Sequence, residues 1–416
     1  MNADGQEAEH TAEAVARRSY GKLIAFLAAR TRDVAAAEDA LSEAFAAALR
    51  DWPRSGCPGN PEAWLLTVAR RKLIDVARKQ RSGERAVAQW LALAQTMNTD
   101  GSQVSIPDQR LALMFACAHP AIDEHARAPL MLQAVLGLDA AMIASAFVTS
   151  PAAMSQRLVR AKTKIRQAGI ALRIPEPDEL PDRLATVLDA VYAAFSEGWV
   201  DPDGTDMARR DLAEEALYLG RLIAHLLPDE GEAVGLLALM LHAQARRRAR
   251  RDGSGEYVRF ADQDTSQWDW RMIDEAEVLL LRASVLGAIG RYQLEAALQS
   301  AHVHRKRAGQ NNWRAIVTLY DALLQLAPSP VVAINRAIAI AELHGAQAGL
   351  AALAAVDGDP RLTQFQPYWA ARAQLLAGAG EHAEAGRAYD IAIGLERDPA
   401  VRRFLLRQAN ASALPR

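Results

Sequence analysis

The chain has 416 residues, half of them hydrophobic and 24% charged, with a formal net charge of -2. That length calls for two to four domains rather than one core, and the near-neutral balance excludes a protein that coats nucleic acid or membrane with its whole surface. Its two cysteines, Cys57 and Cys117, cannot build a disulfide framework or a cysteine-rich zinc site. The first residues carry no basic-then-apolar signal, and the most apolar run, 234–243, is too short to span a bilayer. The expectation is a cytoplasmic protein with no membrane partner. Alanine is frequent and alternating β-branched runs are scarce, which predicts an all-α fold.

In chain order, 11–50 reads as helix, with Leu23, Phe26 and Leu27, then Val34, Leu41, Phe45 and Leu49, as its apolar rows. Residues 51–61 are dense in Pro and Gly and predict a loop. Asn60 then caps a new helix with Pro61 in its first turn. In that helix Leu65, Val68, Leu73 and Val76 form the expected buried row. Arg70, Arg71, Lys72, Arg78, Lys79 and Arg81 project elsewhere, against the single acid Asp75.

Residues 129–147 supply the apolar positions of a further helix, from Leu130 to Phe147, and a short turn leads to Ser150 and Pro151, a second cap-and-proline start. This is helix–turn–helix spacing. The helix that follows has Leu158, Ala161 and Ile165 on one face. Arg157, Arg160, Lys162, Lys164 and Arg166 lie on the others, and no acid occurs from 150 to 169. Such a helix fits a major groove, its first residues against base edges and its cations on phosphates.

These residues, taken together, resemble a known family. The segment 35–49 is similar to the acidic-then-apolar helix of bacterial sigma factors, and 61–81 to the segment that follows it there. Residues 111–138 with the helix–turn–helix resemble the second sigma domain. The chain is identified on this basis as similar to extracytoplasmic-function sigma factors of the subgroup with a long carboxy-terminal extension. It departs from the family pattern at Ser42, Arg71, Met142 and Ser145. The resemblance implies that Glu38, Asp39, Glu43 and Phe45 dock on core RNA polymerase. It implies that Arg70, Arg71, Lys72, Arg78, Lys79 and Arg81 face the minus-ten element of promoter DNA. The helix with Ser155, Gln156, Arg157, Arg160, Lys162 and Lys164 would read the minus-thirty-five element as duplex. Such a protein is not an enzyme, since the polymerase supplies the chemistry, and needs no cofactor.

The implied organisation is a polymerase and minus-ten domain over 10–88, a linker over 89–109, and a helix–turn–helix domain over 110–173. A second linker, 174–183, leads to a middle helical domain over 184–282. From 283 to 416 the chain reads as a tetratricopeptide-like solenoid, open to a protein partner. There Trp369, Ala373, Leu376, Gly380, Ala385, Tyr389, Ala392 and Pro399 nearly follow the helix–turn–helix repeat of roughly 34 residues. Two further clusters are worth weighing. Cys117, His119, Asp123 and His125 stand close together, but no second Cys/His pair completes a metal site. Glu197, Asp211, Glu214, Glu215, Arg246, Arg247, Asp262, Asp264 and Trp268 could hold an acid/base pair; structural ion pairs or ligand sensing suit them better. The stretch 245–251 is either a third nucleic-acid patch or a helix end where cations suit the dipole. The rival to the sigma reading is a repeat-based adaptor that no longer recognises promoters.

Overall fold

All regular structure among the described residues, 19–79, 108–147, 149–176, 178–199, 207–287 and 289–413 of a computed structural model, is helical. One isolated antiparallel bridge, Arg251 to Tyr257, stands apart from it. The all-α expectation holds. The chain divides into two compact units, 1–197 and 198–416. Residues 80–107 lie outside the described residues, and with them most of the linker expected over 89–109.

In the first unit the helix expected over 11–50 is two helices. The first, α1, is described over 19–31 and stops at Arg32, whose φ is +56°. Asp33 then accepts the Ala36 N–H on Oδ1 at 3.1 Å and starts α2, Val34–Ser55. Helix α2 runs through Trp52 and Pro53 into the stretch expected to be loop. The reason is tertiary: Trp52 is only 2% exposed, and its burial fixes the last turn despite the proline. Gly56, at φ +79°, closes that turn by donating its N–H to the Trp52 carbonyl. The next helix, α3 (Pro61–Lys79), begins where expected, with Asn60 Oδ1 accepting the Ala63 N–H at 3.1 Å. Its buried row differs from the expectation. Leu65, Leu66, Ala69 and Leu73 are buried, Val68 is half-buried and Val76 is exposed.

Helices α4 (Arg110–Cys117), α5 (Glu124–Leu136), α6 (Ala140–Ala146), α7 (Pro151–Gln167) and α8 (Leu180–Trp199) follow. The single helix expected before Ser150 is broken in two. Gly137 is left-handed at φ +76°, and Asp139 Oδ1 accepts the Ala141 and Met142 N–H groups at 2.8 Å each. Helix α8 starts inside the expected second linker, and its Arg183 donates to the Phe115 carbonyl of α4 at 2.9 Å.

Helices α1 and α5 meet through a glycine. A Cβ on Gly21 would fall 1.9 Å from the Val135 carbonyl oxygen, and the Tyr20 ring covers Gly137. No side chain fits there without moving backbone. Gly21→Ala is therefore expected to destabilise the first unit by about 1–3 kcal/mol through overpacking. A lowered midpoint in thermal unfolding of the full chain reads this; an unchanged midpoint would show that the two helices are not in this register.

The second unit is built round α10 (Gly231–Ala245), which follows α9 (Met207–Leu226) and is buried nearly all round. The apolar run at 234–243 is thus a core helix. Among the described residues no helix is long and apolar enough to cross a membrane. Helices α11 (Trp270–Ala283) and α12 (Arg291–Ala308) pack on it. Glu232 of α10 accepts the Tyr292 and Gln293 N–H groups at 3.0 Å, an anion at the start of α12. Between α10 and α11 the chain is irregular, as expected.

The remaining helices, α13 (Trp313–Leu326), α14 (Pro330–His344), α15 (Ala346–Leu353), α16 (Gln366–Gly378), α17 (His382–Leu395) and α18 (Pro399–Ala413), stack in sequence order. Ala373, Ala385 and Ala392 are fully buried, so small residues set the close approach of α16 and α17 across the Gly380 turn. Ala373, Leu376, Ala385, Tyr389 and Ala392 all lie in one cluster.

Candidate nucleic-acid interface

Helix α7 presents two faces of opposite character. Ser150 Oγ accepts the Ala153 N–H at 3.2 Å, and Pro151 sits in the first turn. Met154, Leu158, Ala161 and Ile165 are buried, which is the expected row lengthened by one residue. The turn from α6 is closed by the Thr149 N–H on the Ala144 carbonyl at 2.9 Å. Ser155, Gln156, Arg160 and Lys164 are exposed, and Arg157 is half-buried. No carboxylate shares the helix, so every charge on its outer face is positive, with Val159 exposed among them.

The other cations of α7 are engaged by α2. Lys162 forms an ion pair and hydrogen bond with Glu38, and both side chains are largely buried. Burial pushes the Glu38 carboxyl up, and the Lys162 ammonium opposes that shift. Arg166 pairs with Asp33 at 3.2 Å, so the α2 cap also holds the end of α7. A residue expected to contact polymerase and one expected to contact DNA thus neutralise each other. Asp33 was outside the sequence reading. Its position just before Val34 was the available signal, since Asp is a preferred cap.

On α3, Arg71 is exposed and Arg70 is half-buried, its guanidinium pKa lowered by burial. Lys72 reaches Glu43 of α2 at 2.5 Å, an exposed pair of small energetic value. Asp39 and Glu43 are exposed and Phe45 is half-buried. The side chains of Arg78 and Lys79, and all of Arg81, lie outside the described residues. Trp64 stands edge-on to Trp52 at 5.5 Å, a packing contact.

The other clusters separate into local roles. Cys117 is fully buried and its thiol is pushed up by burial. His119 Nδ1 accepts the Ala121 N–H, Asp123 caps α5, and His125 is exposed. Among the described residues no group of three His, Cys, Asp or Glu side chains could hold a metal ion. Asp262 pairs with Arg259 at 2.8 Å, and Asp264 accepts from Ser266. Arg246 is 7% exposed, donates to the His242 carbonyl and Gln299, and lies over the Phe260 ring. Burial pushes it down to about 10. The side chain of Asp211 is outside the described residues.

Comparison with known proteins bears on both units. Residues 15–83, which span α1 to α3, match sigma-70 region 2. That match supports a sigma-factor-like role in transcription initiation. Residues 183–284 match a family of unknown function, DUF6596. Over 370 residues the chain is 38% identical to an uncharacterized protein, R00370, of Rhizobium meliloti (strain 1021), covering 88% of this chain and 87% of that one. No solved structure matches.

Proposed function

Because the chain belongs to one family with that Rhizobium protein and carries a sigma-70 region 2, we propose that it is an extracytoplasmic-function sigma factor that brings core RNA polymerase to a promoter set. The observation that carries the promoter-reading part is the outer face of α7: Ser155, Gln156, Arg160 and Lys164 exposed on a helix without an acid, behind a tight turn. Direct readout needs polar side chains at the leading end and cations for phosphates. In this reading Arg71 faces the minus-ten element, and Asp39, Glu43 and Phe45 face the polymerase.

The ion pairs between α2 and α7 then acquire a meaning. Elements named for positions 10 and 35 are separated by roughly 85 Å of duplex at 3.4 Å per base pair. Helices in direct contact do not reach both. Engagement requires the Glu38–Lys162 and Asp33–Arg166 pairs to part. The 28 residues numbered 80–107 have a covalent reach of at most roughly 100 Å, enough for that separation. The proposal includes regulation in cis by the extension and a protein partner for its tetratricopeptide-like repeats.

Mixing the purified full chain with core polymerase in dilute buffer tests the reading. The expected result is co-elution with core enzyme and transcription from defined start sites. Co-elution without start-site selection would leave the adaptor as the better account. Removal of 198–416 tests the extension and is cleaner than a cut at 174, which would strip α8 and its Arg183 contact from the first unit. Regulation in cis predicts altered transcription from the shortened chain.

A further inference from the structure

Helix α11 buries one face and exposes the opposite one. Ile273, Ala276 and Ala283 are buried. On the other side Val278 is 70% exposed, Leu281 72% and Val285 76%, and Ile289 beyond them is 60% exposed. Among the described residues one other large apolar side chain, Val159 at 62%, reaches such exposure, and the next stand at 50%. Single exposed apolar residues are ordinary, but these four fall within twelve consecutive positions. Val278, Leu281 and Val285 follow one another by three and four residues, the spacing of a single helix face. Ser284 keeps a right-handed helical conformation, so Val285 continues the row past Ala283. A contiguous apolar stripe of this kind costs free energy in water and marks a contact surface.

The charges beside the stripe decide what covers it. Asp274 and Arg282 are exposed on the same side, and Val278 lies midway, four residues from each. A rise of 1.5 Å per residue places them about 6 Å to either side of it along the helix. Arg282 donates to the Pro228 carbonyl at 2.6 Å, a neutral acceptor. Asp274 is 3.5 Å from Arg307, and both side chains are largely exposed, so that pair is worth little. A purely apolar partner leaves both charges facing it unmatched, and a partner of one sign repels one of them. A second copy of α11, laid antiparallel about Val278, sets Asp274 of each copy level with Arg282 of the other, twice. A parallel copy would set like charges level. The antiparallel arrangement also brings Arg271, seven residues before Val278, level with Val285, seven after it, where the arginine stem covers the valine.

We propose that the chain forms an antiparallel dimer through α11. Val278, Leu281 and Val285 make its apolar centre, and two Asp274–Arg282 pairs stand at its rim, the usual arrangement of a protein interface. The contact is isologous and closes at two copies. It stands independently of the promoter reading, because every residue in it belongs to the second unit.

Sedimentation equilibrium of the full chain tests the proposal. The mass should rise from 45.2 kDa toward twice that value between about 1 and about 100 μM, the range of a small interface. Leu281→Glu, at an exposed position that leaves the core intact, should weaken association at least about tenfold. Asp274→Arg alone and Arg282→Asp alone should each weaken it about tenfold, since each sets like charges level twice. The double variant Asp274→Arg/Arg282→Asp restores opposite signs and should dimerise nearly as the parent chain does. A variant that merely unfolded would not be rescued in this way. A monomer at every concentration would overturn the proposal. So would a dimer that Leu281→Glu leaves intact, or a double variant that associates no better than either single one.

Discussion

If α7 reads promoters as proposed, reversing the charge of Arg157 and Arg160 to glutamate is expected to lower promoter-selective transcription by about a hundredfold or more and to leave core polymerase binding in place. The size follows from ordinary contact energies: a base or phosphate contact is worth about 1–3 kcal/mol, and two reversed charges add repulsion to two lost contacts. Neither arginine belongs to an ion pair among the described residues, and Arg160 is exposed, so the helix itself is expected to survive. Met154, Leu158, Ala161 and Ile165 still hold α7 in place. A second readout separates lost DNA contact from lost folding. Each phosphate contact removed should lower the slope of log affinity against log salt by about 0.9. The double reversal should therefore flatten the slope by about two. Unaltered start-site selection with an unaltered slope would end the promoter reading of α7. Lost selection with retained polymerase binding distinguishes a sigma factor from an adaptor, whose partner contact does not pass through these arginines.

Local chemistry made part of this architecture legible. Asn60 with Pro61, and Ser150 with Pro151, start α3 and α7 where the sequence places them, because capping depends on residues within one turn. The buried row of α7 was equally legible, since a 3.6-residue period needs no knowledge of what packs against it. The misplaced breaks have a common cause. Arg32–Asp33 and Gly137–Asp139 carry cap signals inside apolar periodicity, and the periodicity outweighed them in the reading. The error at Trp52–Ser55 is the reverse: a Pro and Gly cluster argued for loop, and burial of Trp52 kept the chain helical. Spacing puts Val76 in the core, yet among the described residues it is exposed.

The long-range ion pairs of the first unit were out of reach. Lys162 and Glu38 are 124 residues apart, and Arg166 and Asp33 are 133 apart. The sequence points Glu38 at polymerase and Lys162 at DNA and singles out no role for Asp33, because composition reports the sign of a residue and nothing of its partner. The tryptophans of the second unit illustrate the same limit. The sequence reading singled out Trp268 and the run of arginines at 246–251. It could not show that Trp268 lacks an acceptor among the described residues while Trp270 donates to the Thr265 carbonyl.

The second unit should lose stability on mild acidification, through two histidines. His242 of α10 is fully buried, and burial together with the Arg246 guanidinium pushes it down to about 4. His302 of α12 lies between the Phe260 and Trp313 rings, and burial with Arg305 and Arg246 pushes it down to about 4 as well. Both are neutral at pH 7, so the 3.5 Å approach of His242 to Glu277 is no salt bridge there. In the unfolded chain both titrate near the usual value of about 6.5. Above that pH neither state takes up the protons, and stability does not respond. Below it the unfolded chain binds protons that the folded unit refuses, so stability falls as the pH drops from about 6.5 toward about 4. By pH 5 the loss is about 2 kcal/mol for each histidine. Carboxylates with lowered pKa values, such as Asp252 and Asp264, lose their contribution mainly below this window. Urea unfolding of the full chain at pH 7 and pH 5, followed by tryptophan fluorescence, should show a clearly lower midpoint at pH 5. The double variant His242→Gln/His302→Gln removes both titrating groups and should flatten most of that difference, whatever its own stability. Equal midpoints at the two pH values would show that the imidazoles are not held neutral. The same pH response in the variant would assign the loss to other groups.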